Sequence, residues 1–288
     1  MKILIAEYAV ARNIKPLVPE GRAILSTLVE SFRRAGHDVI YPERVRSFGE
    51  WIKKNADRTD AGLVVAPDRL LADFVEILEE KTTNLGCSPE CIRLCADKLR
   101  TTEILEKNGV LVPGILSEGG TGKYVIKPRF GCGSEGVEII KKFRKKRGFI
   151  TCKFIDGKHI SASIIVGKTT LPLTINKQRI KFDKGKISYD GGVVPYEVPN
   201  KKKIFSVASK TAKILGCGGY VGIDIVLQDE TPFVVDVNPR PTTSIVGIAR
   251  VINHEIADLI LKARFGKLPM RILSKGRYSI TQKMWEGI

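Results

Sequence analysis

The stretch GIDIVLQDETPFVVDVNPR, from Gly222 to Arg240, contains two runs of alternating apolar and polar residues on either side of a polar turn. This pattern is typical of a β-hairpin. With the turn centred on Glu230, Asp224 and Asp236 lie directly opposite each other, and side chains in that relation are ~5 Å apart at Cβ. Two carboxylates at that distance repel each other unless a cation lies between them. The hairpin therefore predicts a cation site.

The alternation also gives the hairpin two faces. Asp236, Asn238 and Arg240 fall on one face together with Asp224. The opposite face is expected to be apolar and to consist of Ile223, Ile225, Leu227, Phe233, Val235 and Val237. Because Mg²⁺ prefers oxygen ligands, we predict that Asp224, Asp236 and Asn238 bind Mg²⁺, with Mn²⁺ as an alternative. Arg240 would then lie beside a phosphoryl oxygen, which its planar guanidinium suits. The alternative is a solvent-facing hairpin with ordinary surface acids.

A second motif, KYVIKPRFGCGSEGVEII, has a glycine-rich loop between two strand-like runs. The loop residues that we expect at a nucleotide are Gly131, Gly133, Ser134 and Gly136. Glycines let backbone N–H groups approach phosphate oxygens, and Lys127 before the loop adds a positive charge. The segment after the loop resembles a strand, which argues against a dinucleotide-binding turn. A protein kinase would have its lysine after the loop. A plain hairpin loop is the alternative.

The predicted secondary structure changes along the chain. Residues 1–94 alternate strands and helices, as in a parallel α/β domain. Residues 95–152 contain a helix and the glycine-rich loop, and residues 153–288 contain short strands, the hairpin and a helical end. We therefore predict an α/β domain followed by two α+β subdomains. The predicted helices cover residues 20–35, 48–56, 68–81, 90–108, 201–215 and 244–265.

Charge favours anionic partners. The 288 residues include 48 Lys+Arg and 31 Asp+Glu, for a net charge of +17. Such a balance suits nucleotides, carboxylates or nucleic acid. The densest basic run, KKFRKKR from Lys141 to Arg147, is interpreted as a solvated turn, because nucleic-acid binders usually interleave several aromatic rings. A nucleic-acid-binding protein without enzymatic activity is the rival hypothesis, and we expect no nucleic-acid partner.

The cysteines contain no C-x-x-C pair, which favours a chain with reduced thiols in the cytoplasm. Cys87, Cys91 and Cys95 recur every four residues and would share a helix face, where thiols usually pack as small hydrophobes. Metal ligation there is the less favoured alternative. The opening MKILIA is too short for a secretory signal, and no run is long enough to span a bilayer, so we expect no membrane association. A homodimer is compatible with the sequence.

Three features together resemble the ATP-grasp superfamily in order and spacing: Lys98 in ADKLRTTEILEKNGVLVP, Lys127 before the glycine-rich loop, and Asp224 with DVNPR. The resemblance covers the chain from about Cys87 onward. It implies an N-terminal Rossmann-like domain and two α+β subdomains that enclose ATP. It also implies that Lys98 and Lys127 contact phosphates, and that Arg240 is catalytic, stabilising the reacting phosphoryl group or the tetrahedral oxyanion.

Four further strings, EYAVA, NLGCSPECIR, PLTINKQRI and NPRPTTSIVGI, look like the archaeal tyramine–glutamate ligases of methanofuran biosynthesis. That resemblance implies a carboxylate, glutamate, that is activated on its γ-carboxyl and captured by an amine, tyramine. It places Lys177 or Arg179 near the substrate, together with Gly191 and Gly192. Glu7, at the end of the first strand, is either a contact of the amine or a surface acid. Another amino acid or small acid as substrate is the alternative within the family.

The chain departs from the superfamily pattern at two places. The strand that leads to the adenine usually carries a Gln-Glu pair, but here it carries Cys152 and Lys153. The acid expected at the ribose is replaced by His159. These differences bear on the nucleotide contacts and not on the metal hairpin. They leave open a relative that keeps the fold without the activity.

Overall fold

The computed structural model describes residues 1–131, 133 and 135–281. The first part contains a parallel sheet of β1 (Lys2–Glu7), β2 (Asp38–Ile40), β3 (Ala61–Val65) and β4 (Thr83–Asn84) in the order β2-β1-β3-β4. Its helices are α1 (Tyr8–Arg12), α2 (Val18–Arg34), α3 (Phe48–Ala56) and α4 (Asp68–Glu79). β1 and β3 are apolar and almost fully buried, because helices cover both faces of the sheet. This is the predicted parallel α/β domain.

Two helices connect this sheet to the rest of the chain, α5 (Pro89–Ala96) and α6 (Lys98–Lys107). The prediction of one continuous helix over 90–108 is wrong, because the backbone is extended at Asp97. The Asp97 carboxylate accepts a hydrogen bond from the backbone N–H of Arg100 at 3.3 Å and so caps α6. It also pairs with the guanidinium of Arg129 at 2.7 and 2.6 Å. The break places Lys98 in the first turn of α6.

The second sheet is antiparallel and contains the remaining strands: β5 (Thr121–Pro128), β6 (Glu138–Lys142), β7 (Phe149–Lys153), β8 (Lys158–Val166), β9 (Thr170–Asp183), β10 (Lys186–Val194), β11 (Gly219–Gln228), β12 (Thr231–Asn238) and β13 (Tyr278–Ile280). The strand order is β12-β11-β8-β9-β10-β6-β5-β7, and β13 pairs with β10. The predicted fold class, α/β plus α+β, is confirmed. The domain boundaries at residues 94 and 152 stay predictions.

Three of the described helices, α7 (Lys201–Ile214), α8 (Ser244–Val251) and α9 (Ile256–Phe265), pack against the second sheet. α7 packs on one face of β8 and β9, and its buried side chains share a core with Ile160, Ile223 and Ile225. The predicted helix over 244–265 is two helices, α8 and α9, because the chain becomes extended at Ile252. Among the described residues, no helix is both long and apolar enough to cross a bilayer.

The β11–β12 hairpin brings Asp224 opposite Asp236, as predicted. Its turn is a two-residue turn at Asp229 and Glu230, both with positive φ (42° and 64°). The register shifts between Asp224 and Ile225, so that Ile225 pairs with Val234.

The shift changes which residues of β12 face the core. Val234 and Val237 are buried, whereas Phe233 and Val235 are only half-buried. Placing Phe233 and Val235 in the apolar face was therefore wrong. The reason is the irregularity in the pairing, which inserts one residue into β12 and reverses the alternation beyond it.

Candidate active site

A cavity of about 480 Å³ lies over the β11–β12 hairpin. Its size suits a small-molecule site. The structure brings most of the predicted site residues to its wall: Lys98, Lys127, Gly131, Gly133, His159, Asp224, Asp236, Asn238 and Arg240. The wall also includes residues that precede α2, such as Pro16, so the parallel-sheet domain contributes to the same site.

Asp224 is the most enclosed acid of the cavity. Its two carboxylate oxygens accept hydrogen bonds from the amide of Gln178 at 2.9 Å and from the amide of Asn238 at 3.2 Å. Burial, together with the charge of Asp236, raises the pKa of Asp224 to about 6, although the hydrogen bonds from Asn238 and Gln178 oppose the shift. The carboxylate form is therefore costly here unless a cation compensates it.

Asp236 has a cationic partner within the protein. Lys98 Nζ donates to both oxygens of Asp236, each at 2.6 Å. Burial alone would lower the pKa of Lys98, but the charge and hydrogen bonds of Asp236, together with the charges of Asp68 and Asp224, outweigh burial and raise that pKa. Lys98 is thus a protonated, buried lysine in the wall of the cavity. It is positioned by the first turn of α6.

Lys127 reaches the hairpin from β5. Its Nζ donates to the backbone carbonyl of Val235 at 2.8 Å, on the half-buried side of β12. Burial lowers the pKa of Lys127, although the nearby Cys152 and Asp236 oppose the shift. A negative ligand in the cavity would favour its protonated form, because an opposite charge nearby stabilises the ammonium.

Arg240 follows the hairpin and is held by an acid of the parallel-sheet domain. Its Nε donates to Asp68 at 3.0 Å, and Asp68 is 4% exposed. Asp68 begins α4 directly after the β3 strand. The pair therefore fixes the direction of the guanidinium across the boundary between the two parts of the fold.

The glycine-rich loop contributes Gly131 and Gly133 to the cavity wall. Gly133 and Gly136 have φ of 66° and 70°, a region that favours glycine. A Cβ at Gly136 would lie 3.1 Å from Pro128. Ser134 lies outside the described residues. A loop with these conformations can present backbone N–H groups to an anion, as predicted from its sequence.

The strand β7 and the segment after it form the wall where the family pattern is altered. Cys152, Lys153, Phe154 and Ile155 all line the cavity. Burial raises the pKa of the Cys152 thiol, which is therefore a neutral, apolar contact. His159 also lines the cavity, and burial lowers its pKa, so the imidazole is neutral near pH 7. Cys152 and His159 leave this wall without the negative charge that the acids of the family pattern would bring.

Four residues predicted at the substrate are not among those that line this cavity. Lys177 Nζ lies 5.7 Å from the centre of the Tyr196 ring, and Arg179 donates to the carbonyl of Ile280. Gly191 and Gly192 leave room for neighbouring backbone, because a Cβ at Gly191 would collide with the carbonyl oxygen of Ile280. Their role in substrate binding stays a prediction.

Glu7 is also absent from the cavity wall. The alternative that it is a surface acid is wrong, since it is 5% exposed. Its carboxylate caps α1 by accepting a hydrogen bond from the N–H of Val10 at 2.6 Å. Burial raises the pKa of Glu7, and the bonds from the backbone of Val10 and Ala9 oppose the shift.

The sequence analysis missed Gln178 and Asp68, which hold side chains of the site in place. Gln178 lies between Lys177 and Arg179 in β9 and points to the other face of the sheet, where it meets Asp224. Strict alternation along PLTINKQRI could have indicated this. Asp68 had no signal of its own, because its partnership with Arg240 joins residues far apart in the chain.

The basic turn from Lys141 to Arg147 lies away from the cavity and is mostly exposed. Arg144 pairs with Glu138 at 2.7 Å, and Lys146 Nζ lies 3.7 Å from the centre of the Phe149 ring. These contacts agree with a solvated turn whose charges are partly compensated within the protein.

Comparison with known proteins adds the family. The family model described as an ATP-grasp domain matches residues 95–244. The chain belongs to the ATP-grasp family. The match includes Lys98, the glycine-rich loop, the hairpin and Arg240, so the predicted superfamily membership is confirmed.

Relatives with assigned activities align over most of the chain. The tyramine–L-glutamate ligase of Methanocaldococcus jannaschii is 31% identical over 90% of this chain and 88% of its own length. The enzyme of the same description from Methanocaldococcus fervens is 30% identical over 90% of this chain and 93% of its own length.

Solved structures show the same ATP-grasp fold. An ATP-grasp superfamily protein from Archaeoglobus fulgidus has a TM-score of 0.80, with 26% identity over 98% of this chain and 99% of its own. The D-alanine–D-alanine ligase of Bacillus anthracis, complexed with ATP, has a TM-score of 0.67 and 19% identity, and it covers 91% of this chain and 96% of its own. The second likeness is one of fold alone.

Proposed function

We propose that this ATP-grasp protein is an ATP-dependent ligase that joins a carboxylate to an amine through an acyl phosphate. The acid and the amine that we propose are L-glutamate and tyramine. The observation that carries the proposal is the convergence of Asp224, Asp236 and Asn238 with Lys98 and Arg240 in one cavity. The two tyramine–glutamate ligases that align over nine tenths of the chain support both the amide-forming class and the substrate pair.

The residues at the hairpin fit a Mg²⁺ ion. They supply two carboxylates and an amide oxygen, which are hard oxygen ligands. Asp224 and Asp236 are paired opposite each other, and the carboxylate of Asp224 is the one that burial and its neighbour destabilise. A divalent cation, Mg²⁺ or Mn²⁺, would offset that repulsion, and when bound it would neutralise charge on the phosphates of ATP. Asp224, Asp236 and Asn238 are the residues that would hold it.

The proposed ATP position follows from the cavity wall. The glycine-rich loop and Lys127 would contact the phosphates, and Cys152 and Phe154 would contact the base. His159 would take the place of the acid at the ribose. A neutral imidazole can donate or accept one hydrogen bond to a ribose hydroxyl, whereas a carboxylate can only accept. The altered wall is therefore compatible with a nucleotide, with fewer charged contacts to the sugar.

In the proposed reaction, a carboxylate oxygen of the acid attacks the γ-phosphorus of ATP, and the bond from that phosphorus to the bridging oxygen of ADP breaks. The products are ADP and an acyl phosphate. Lys98, Lys127 and Arg240 would lower the barrier by holding and neutralising the phosphoryl oxygens, since such reactions depend mostly on positioning and electrostatics.

The amine nitrogen then attacks the acyl carbon, the amine loses one proton, and the bond from carbon to the phosphate oxygen breaks. The products of this step are the amide and inorganic phosphate. Arg240, held by Asp68, would stabilise the oxyanion of the tetrahedral intermediate, because its guanidinium is fixed by the ion pair and does not need to reorganise.

The test measures ADP and phosphate release from purified protein with Mg-ATP, L-glutamate and a panel of amines that includes tyramine. We expect release that depends on both substrates, with tyramine the best amine. The double variant Asp236→Asn, Asn238→Ala should lose this activity. The matched control is the double variant Gln228→Ala, Asp229→Asn in the turn of the same hairpin, which should keep it. Unchanged release in the first variant would refute the proposed site.

The state of the cysteines bears on the proposed location of the protein. The described cysteines Cys87, Cys91, Cys95, Cys152 and Cys217 form no disulfide, which fits a reducing compartment such as the cytoplasm. A role in methanofuran biosynthesis rests on the similarity to the tyramine–glutamate ligases. The homodimer stays a prediction, which sedimentation equilibrium of the purified protein would test.

A further inference from the structure

Four cysteines from three segments of the chain meet in the interior, away from the cavity. Cys87 lies in the loop after β4, Cys91 and Cys95 lie on α5, and Cys217 lies in the loop between α7 and β11. All are buried, with exposures of 1%, 4%, 1% and 8% in that order. The spacing of the first three in the sequence favoured buried thiols over a metal site. In the fold, Cys217 from a distant segment adds a fourth thiol beside Cys91, which favours a metal site.

The sulfur atoms are close enough to share one ion. Cys91 Sγ lies 3.6 Å from Cys217 Sγ and 4.0 Å from Cys95 Sγ. The Sγ atoms of Cys87, Cys91 and Cys217 all lie within 4.8 Å of one another. Four thiolates in a tetrahedron around zinc, with bonds of about 2.3 Å, are separated by about 3.8 Å. The Cys91–Cys217 and Cys91–Cys95 separations lie close to that value.

Hydrogen bonds order the loop after β4, which carries Cys87, and connect it with the loop that carries Cys217. The side-chain amide of Asn84 donates to the carbonyl of Cys87 at 2.8 Å and accepts from the N–H of Gly86 at 2.8 Å. The N–H of Gly218 donates to Cys87 Sγ at 3.3 Å, and in the thiol form Cys87 Sγ donates to the carbonyl of Gly218 at 3.0 Å. A hydrogen bond from a backbone N–H to a sulfur stabilises the thiolate form, which is the form that binds metals.

The four cysteines would interact differently as neutral thiols and as thiolates around a cation. A bound dication would hold the four cysteines as thiolates, because metal ligation deprotonates a thiol outright. Four neutral thiols in contact are otherwise only weak hydrogen-bonding partners for one another.

We propose that Cys87, Cys91, Cys95 and Cys217 bind a single Zn²⁺ ion as a structural tetrathiolate site. Soft thiolate ligands in a closed tetrahedron select zinc over the hard Mg²⁺ of the hairpin. The sulfurs of Cys87, Cys91 and Cys217 leave room for one ion between them, and Cys95 completes the set from the next turn of α5. A cluster of several irons and sulfides needs ligands that lie farther apart. The site is independent of the proposed ligase activity.

Such an ion would link the parts of the fold that assemble the cavity. Cys91 and Cys95 belong to α5, whose end leads through Asp97 to Lys98. Cys217 lies just before β11, the strand that carries Asp224. The zinc site would therefore fix the start of α6 relative to the hairpin. It would act on the active site only through this positioning.

Metal content is the first test. Protein produced without a metal-affinity tag and gel-filtered in chelator-free buffer should contain one zinc per chain by inductively coupled plasma mass spectrometry. The double variant Cys91→Ser, Cys217→Ser should lose it, whereas Cys152→Ser, a buried cysteine outside the cluster, should keep it. Wild-type protein with no more zinc than the double variant would overturn the proposal, and so would iron in place of zinc.

Spectroscopy on the wild-type chain keeps the proposal testable if the double variant does not fold. Exchange of the metal for Co²⁺ should give a thiolate-to-cobalt charge-transfer band and the strong visible bands of a tetrahedral site. A nitrogen-donor chelator that prefers Zn²⁺ to Mg²⁺ should lower Tm, and Zn²⁺ but not Mg²⁺ should restore it. A Cys91–Cys217 disulfide in the native protein, found by mass spectrometry of alkylated peptides, would overturn the proposal.

Discussion

Lys98 Nζ contacts both carboxylate oxygens of Asp236 at 2.6 Å, so the ion pair closes one side of the proposed metal site. The lysine comes from the first turn of α6 and the acid from β12. Without a bound metal or nucleotide, Lys98 is the cation that compensates this acid. The pair therefore links the stability of the free protein to the residues that are proposed to bind ATP.

Replacing Lys98 with methionine should destabilise the free protein and increase its response to Mg²⁺. The variant leaves two neighbouring acids with less positive charge, and removal of one partner from a largely buried pair is costly. The loss should be about 2 kcal/mol or less in the free energy of unfolding, because the side chain of Asp236 is 27% exposed. Urea unfolding with and without Mg²⁺ measures both effects.

The control for this prediction is Lys107→Met, at the exposed end of the same helix. It makes the same chemical change and should leave the Mg²⁺ response unchanged. An equal response to Mg²⁺ in Lys98→Met and wild type would contradict the assignment of the ion to this hairpin.

Asp224 should make the stability of the metal-free protein fall as pH rises. Its pKa of about 6 in the fold lies above its ordinary 3.8. Between these values the folded chain holds a proton that the unfolded chain has released, so folding is favoured at low pH and the advantage is lost as pH passes about 6. The contribution is at most about 3 kcal/mol. Asp224→Asn should lack it.

The measurement is urea unfolding in metal-free buffer from about pH 4 to about pH 7, as the difference between wild type and Asp224→Asn. The other titrating groups are common to both proteins and largely cancel in the difference. Because the metal binds the carboxylate form, Mg²⁺ affinity should rise over the same range in wild type. Parallel stability curves for the two proteins would rule out this role of Asp224.

The hairpin shows how far the sequence could predict the site. A symmetrical turn centred on Glu230 was expected, whereas the turn consists of Asp229 and Glu230. The pairing also shifts by one residue between Asp224 and Ile225. The two deviations cancel at Asp224 and Asp236, so their pairing was predicted correctly. They do not cancel between the shift and the turn, and for that reason Phe233 and Val235 were assigned to the wrong face.

Other features depend on contacts that no local pattern records. The ATP-grasp fold and the roles of Lys98 and Lys127 were expected from the family resemblance. The Asp68–Arg240 pair and the approach of Cys217 to Cys91 join segments far apart in the chain. Only the packing of the parallel sheet against the antiparallel one brings these residues together, so the sequence could name the residue types but not the partners.

Gln178 should tune the metal site without contacting ATP. Its amide donates to Asp224 Oδ1 at 2.9 Å and so orients the carboxylate. Removal of such an outer partner typically lowers metal affinity about 10- to 100-fold. We expect Gln178→Ala to raise the Mg²⁺ concentration needed for half-maximal activity by about tenfold, with kcat at saturating Mg²⁺ much less affected.

The matched control is Gln228→Ala at the end of β11, which removes the same side chain outside the site. Titration of activity with Mg²⁺ compares the two variants. A loss of kcat in Gln178→Ala that saturating Mg²⁺ does not relieve would show that Gln178 acts on the substrates and not on the metal.

Asp68 should matter for catalysis through Arg240. The carboxylate is 4% exposed and accepts from Arg240 Nε at 3.0 Å, so it fixes the guanidinium. Asp68→Asn should lower kcat by about tenfold, since a misplaced group weakens transition-state stabilisation, and should leave KM for ATP nearly unchanged. Steady-state kinetics check this, with Asp73→Asn, an exposed acid on the same helix, as control. A change confined to KM would contradict the positioning role.

Alanine variants at Gly216 and Gly219, on either side of Cys217, should separate the cost of backbone strain from the cost of a steric clash in the free energy of unfolding. Both have positive φ, 66° and 67°. A Cβ at Gly219 would collide with the carbonyl oxygen of Leu85, whereas at Gly216 it would meet nothing within 4 Å. Gly216→Ala should therefore cost only the strain of the left-handed backbone, about 1 kcal/mol. Gly219→Ala should cost that plus the separation of the two loops, about 3 kcal/mol or more in urea unfolding. Equal losses in the two variants would show that the contact between the loops contributes little to the fold.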